Sequence, residues 1–130
     1  MKKQKSNIPI VEIETMPFED SQYFDGTYTW RASSLAAQVK KDNLEAFEIP
    51  LAGIRLDHLP FDIKDLDDFI YNMKRVESTD LKYPIILDTK GCVADGYHRI
   101  AKAILEGKTT IKAYRLKQMP PYDFKEESKH

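Results

Sequence analysis

The sequence predicts an α+β fold, a small mixed β-sheet with helices packed on it. Three observations carry that prediction. Tyr83-Pro84-Ile85-Ile86-Leu87-Asp88 is short, rich in β-branched residues and closed by Thr89-Lys90-Gly91, which predicts a strand entering a hairpin. Leu66, Phe69, Ile70, Met73 and Val76 recur at helical spacing, which predicts an amphipathic helix from Lys64 to Val76 with its apolar stripe in the core. Composition supplies the third: 130 residues, 42% apolar and 32% charged, suit one soluble domain that can bury a core without staples.

Taken in order, residues 1–45 form an N-terminal extension, a strand and a short helix packed on the core. Asn7 to Ile13 predicts the strand, with Ile8, Ile10 and Glu12 on one face. Met16 to Gly26 is acidic and turn-rich, and Pro17, Asp20, Asp25 and Gly26 argue against regular structure there. Thr27 to Trp30 reads as extended. Ser33 or Ser34 then caps a helix carrying Leu35, Ala36 and Val39, which Asp42-Asn43 ends.

Residues 46–117 form the main module and 118–130 a charged tail. Asp62 is placed to cap the helix from Lys64, and Asp65, Asp67 and Asp68 suit the positive end of its dipole better than a metal site. Cys92-Val93-Ala94 makes the return strand of the hairpin. From Tyr97 the spacing turns helical through Ile100, Ala103 and Ile104, and Gly107 stops the helix. Lys112 to Lys117 alternates as an outer strand with a solvated basic face, while Ile111 and Ala113 point inward. No internal repeat or low-complexity segment interrupts the chain.

Charge and cysteine content narrow the function classes. A formal charge of −1 gives no global basic footprint of the kind a non-specific nucleic-acid binder shows. Local basic patches from Arg55, Lys74, Arg75, Lys82 and Lys90 leave DNA contact open. A single cysteine excludes an internal disulfide framework, and no apolar run reaches the roughly 18 residues of a membrane span. Met1-Lys2-Lys3-Gln4-Lys5 lacks a signal-peptide core behind it, because Glu12 and Glu14 interrupt, so the expected location is the cytoplasm without membrane attachment.

The most informative segment is Asp95-Gly96-Tyr97-His98-Arg99, which lies between the hairpin and the last helix. First-turn N–H groups are unpaired and the dipole is positive there, so an anion is favoured. Gly96 removes a side chain where a phosphate would approach, His98 and Arg99 offer donors, and Asp95 could cap the helix by accepting from Tyr97 or His98. The alternative is a plain turn and cap, with His98 packing and Arg99 a surface charge.

Phe47 to Leu116 resembles the ParB/sulfiredoxin superfamily in the order of its motifs. Ile49-Pro50-Leu51-Ala52-Gly53-Ile54 matches the family's opening strand, followed by a loop through Asp57-His58-Leu59-Pro60, a helix, and Pro84-Ile85. Then come Asp95 to Arg99, the helix alanines Ala101 and Ala103, Gly107, and Thr110 to Ala113. The resemblance implies a phosphate-contacting role for Gly96, His98 and Arg99, with ATP or CTP as the nucleotide and Mg²⁺ as a candidate companion.

The same resemblance removes some members' chemistry. Sulfiredoxin places its catalytic cysteine directly before His-Arg, where this chain has Tyr97, and Cys92 lies upstream as either a buried small hydrophobe or a site residue. Partition proteins add a helix-turn-helix and a dimerisation domain, whereas only Lys117 to His130 follows here, so a stand-alone module is expected. In the family's serine kinases an acidic base lies in the loop after the first strand, which makes Asp57 the nearest candidate, with the imidazole of His58 beside it as the other. Ordinary loop roles are the alternative for both.

Other groups have two readings. Asp88 and Asp95 bracket the hairpin and would either share a cation or serve as turn and cap. Trp30, Tyr28 and Tyr97 either stack on a base or fill the core, with Tyr97 tied to the motif. The expected function is therefore nucleotide phosphate binding with phosphotransfer or hydrolysis as its extension, acting through Asp57, His58 or His98. Alternatives are a DNA-binding or nuclease-like accessory of a mobile element, and an inactive protein-interaction module; a homodimer is compatible with each.

Overall fold

Short apolar runs, Asx turns and glycines at positive φ set the elements of this chain, which the computed structural model describes for residues 8–13 and 21–126. Strands β1 (Gln22–Phe24) and β2 (Tyr28–Arg31) lead into helix α1 (Ala32–Lys41) and strand β3 (Phe47–Pro50). A single 3₁₀ turn (Leu51–Gly53) and a loop precede α2 (Leu66–Ser78). Then follow β4 (Ile85–Leu87), β5 (Val93–Asp95), α3 (Tyr97–Leu105), β6 (Thr110–Arg115) and β7 (Phe124–Lys125). The fold is α+β.

The strands form two sheets. The larger has the order β3-β6-β4-β5 and is mixed, since β4 and β6 run parallel while the other neighbours are antiparallel. The smaller is an antiparallel β1-β2-β7 sheet. Two aspartates build the tight connections. Asp25 Oδ1 accepts from the N–H groups of Thr27 and Tyr28 at 2.9 and 2.7 Å, and Asp88 Oδ1 accepts from Lys90 and Cys92 at 2.9 Å each. Gly107, at φ 76°, ends α3 with the paired bonds Lys108 N–H to Ala103 and Gly107 N–H to Ile104.

Alternation along β4 explains why Ile85, Ile86 and Leu87 are all buried: helices or a second sheet cover both faces of the larger sheet. On one side Ile85, Leu87, Ile111 and Ala113 pack with Leu51 and with Ile100 and Ala103 of α3. On the other, Ile86 and Ala94 pack with Trp30, Leu35 and Val39 of the N-terminal region and with Leu116. Trp30 Nε1 donates to the Pro120 carbonyl at 2.8 Å, which ties the C-terminal segment across this second core.

Several elements differ from the sequence expectation. Residues 8–13 contain no strand, contrary to the expectation for Asn7 to Ile13; Asn7 itself, and Met16, Pro17 and Asp20 of the turn-rich stretch, lie outside the described residues. Within the stretch that remains, β1 forms because it pairs with β2. Ser33 and Ser34 fall inside α1, whose N-cap is Arg31 with no side-chain cap bond. The segment called a tail supplies β7, and β6 is an interior strand between β3 and β4, not an outer one. Ile111 and Ala113 do point into the core, at 7% and 0% exposure.

Helix α2 departs most. Asp65, not Asp62, is its N-cap and accepts from Asp68 N–H at 2.8 Å, while Asp68 accepts from Lys64 N–H at 3.0 Å. Its apolar stripe is not core: Leu66, Phe69, Ile70 and Met73 are 70, 47, 40 and 45% exposed. The inward face carries Asn72, which bonds His98, and Arg75, whose Nη2 donates to Ser21 at 3.1 Å. Lys102 of α3 holds the orientation by donating to the carbonyls of Glu77 and Thr79 at the end of α2. Among the described residues no helix is long and apolar enough to cross a membrane.

Candidate functional site

The site grows from the junction of β5 and α3. Gly96 is the N-cap of α3 at φ 125°, and a Cβ there would stand 2.4 Å from Ile85 Cγ2 and 3.1 Å from Arg99 Nη2. The positive φ and the packing against Ile85 are enough to require this glycine. Asp95 does not cap the helix. It accepts from Arg99 Nη2 at 3.0 Å in an ion pair that is mostly shielded from solvent. With Asp95 so engaged, α3 has no side-chain cap, and its first internal bond runs from Ile100 N–H to the Gly96 carbonyl at 2.9 Å. The amides of Tyr97, His98 and Arg99 precede that bond.

His98 is held on two sides. Its ring stacks on Phe61 with centroids 4.3 Å apart, and Nε2 lies 2.9 Å from Asn72 Oδ1. The amide of Asn72 is oriented by its own Nδ2, which donates to the Asp68 carbonyl at 2.9 Å. Oδ1 is thus the acceptor, and the proton of the neutral ring sits on Nε2. Burial pushes the His98 pKa down to about 4, and the nearby charges of Arg75 and Arg99 add to the shift. His98 is neutral near pH 7.

Tyr97 faces the loop after β3. Its hydroxyl is 3.0 Å from His58 Nε2, and the two rings meet edge to face at 5.3 Å. Burial raises the Tyr97 pKa, with a smaller contribution from Cys92, so the hydroxyl keeps its proton. The pair lines two cavities. One, of about 380 Å³, also includes Pro50, Gly53, Arg55 and Cys92; the other, of about 350 Å³, includes Leu56, Phe61 and Ile104. Cys92 is exposed, not buried.

Asp57 stands apart from the motif in its bonding. Its carboxylate is taken by Arg55 in an exposed pair, and that hydrogen bond holds its pKa below the usual carboxylate range. A base so weakened is poorly suited to take a hydroxyl proton. Asp88 and Asp95 do not share a cation site: Asp88 Oδ2 accepts from Tyr23 at 2.7 Å, and Asp95 pairs with Arg99. Among the described residues no group of three or more His, Cys, Asp or Glu could hold a metal ion. Tyr28 and Trp30 belong to the smaller sheet, where Tyr28 stacks on Tyr122 at 4.7 Å.

The structure therefore brings His58, Tyr97, His98 and Arg99 around one helix end and leaves Asp57 outside. It adds Asn72, Phe61 and Arg75, which sequence reasoning missed. Asn72 was hidden by the assumption that the apolar stripe of α2 faces inward; its place four residues after the N3 aspartate Asp68 is the only local signal. Arg99 has a further property: its Nε is buried and, among the described residues, has no acceptor. An unsatisfied buried donor costs about 1–3 kcal/mol, so it marks a place where a bound group would be favoured. Comparison with family models, curated proteins and solved structures finds no match.

Proposed function

We propose that this chain is a ParB/sulfiredoxin-type protein that binds the phosphates of a nucleotide, ATP or CTP, at the N-terminus of α3. The observation that carries the reading is that this helix end has no side-chain cap, because its neighbouring aspartate is committed to Arg99. The guanidinium charges of Arg75 and Arg99 both bear on His98 beside it. A phosphate here would meet unpaired amides, a positive dipole end and two fixed cations. Mg²⁺ would arrive on the nucleotide, as the described residues offer no cluster of ligands for it.

For phosphotransfer or hydrolysis, His58 is the base of choice over Asp57. It is bonded to the motif through Tyr97, whereas Asp57 is consumed by Arg55. His58→Ala is expected to remove turnover of a bound nucleotide while leaving its binding unchanged.

The test is thermal unfolding with ATP, CTP, GTP and ADP, each with and without Mg²⁺. A nucleotide at about 100 times its dissociation constant adds roughly 2.7 kcal/mol, a rise of several degrees for a domain of this size. The rise should shrink in Arg75→Gln. No rise with any nucleotide would remove this reading and return the chain to DNA-binding or protein-interaction roles.

A further inference from the structure

A cavity of about 730 Å³ lies between the end of α1 and the face of the larger sheet that α3 does not cover. Its lining divides into two parts. Val39, Leu44, Pro84 and Ile86 make an apolar floor with the rings of Tyr83 and Tyr114, while Lys40, Asp95 and Arg99 place two cations against one carboxylate. The volume falls in the range of roughly 300–1,000 Å³ typical of small-molecule sites, and an apolar pocket with few polar groups is their usual chemistry.

The polar end is incomplete. Arg99 Nη2 is engaged by Asp95, yet Arg99 Nε is buried with no acceptor among the described residues. One more anionic oxygen would satisfy that donor, and one more negative charge would balance Lys40. From this we propose that the cavity binds a small monocarboxylate with an apolar, aromatic or branched body. The carboxylate pairs with the Arg99 guanidinium and Lys40, and the body lies between Tyr83, Tyr114 and Ile86. The site is formed with α1, on the opposite side of the sheet from the packed face of α3; it shares Arg99 with the nucleotide reading and draws Lys40 and its apolar floor from elsewhere.

Phenylacetate and its uncharged analogue phenylacetamide are the probes, followed by two-dimensional amide NMR of the full chain. Saturable shifts confined to Lys40, Asn43, Leu44 and Tyr114 are expected with phenylacetate. Phenylacetamide should bind about tenfold more weakly or worse, the loss of one charge-assisted contact. Ala36→Trp fills the mouth from the exposed side of α1 and should abolish the shifts; Lys40→Gln should weaken phenylacetate but not phenylacetamide. Absence of saturable shifts at millimolar phenylacetate, equal binding of the two probes, or unchanged binding by Ala36→Trp would each overturn the proposal. ATP and CTP titrated in parallel report on the other site, so failure of one reading is distinguishable from failure of the other.

Discussion

At the scale of single residues, the junction before α3 is over-determined. Gly96 combines a positive φ with a neighbour that a methyl group would strike, so Gly96→Ala should lose more than about 2 kcal/mol in chemical denaturation. Truncating the obstacle, as in Ile85→Ala combined with Gly96→Ala, should cost less than the two changes added separately. His98 gives a second prediction, in pH. Its pKa is about 4 folded against 6.5 in the unfolded chain, so the unfolded state binds the extra proton between those values. Its contribution to stability is complete above about pH 6.5 and is lost as pH falls toward 4. His98→Gln should flatten the stability curve in that window, read by denaturant melts at several pH values.

At the scale of elements, α2 separates what periodicity can tell from what it cannot. The spacing of Leu66, Phe69, Ile70 and Met73 located the helix, with bounds shifted by two residues at each end. It misjudged which face turns inward, because Asn72 and Arg75 have bonding partners inside and the apolar stripe has none among the core clusters. Exposed Leu66 should therefore tolerate Ala within about 0.5 kcal/mol, where a core leucine would lose 2–5 kcal/mol. Asp65→Ala should cost about 1 kcal/mol by removing the cap that the sequence assigned to Asp62. The hairpin and α3 were legible because Asp88, Gly91 and Gly107 act locally, with the return strand displaced by one residue from Cys92–Ala94 and without the expected Asp95 cap.

At the scale of the whole molecule, a small mixed sheet with packed helices was legible, with β6 expected at an edge and found in the interior, but the second sheet was not. Its strands are three, four and two residues long, too short to carry a pattern, and β2 recruits β7 from far along the chain. The same long-range pairing seats Trp30 beneath Pro120. Deleting residues 118–130 should lower the unfolding midpoint by several degrees and shift the emission of Trp30, the only tryptophan, to the red. The candidate site shows the same division. Local chemistry pointed to Asp95 through Arg99, whereas Asn72, Arg75 and the cavity beside α1 arise only when distant segments meet.

The most direct measurement is an NMR titration of the His98 ring, free and with saturating ATP or CTP. The free protein should titrate near pH 4, because burial and two guanidinium groups oppose protonation. A phosphate at the α3 N-terminus would offset those charges and raise the midpoint toward the ordinary histidine value. The same midpoint with and without nucleotide would contradict the account.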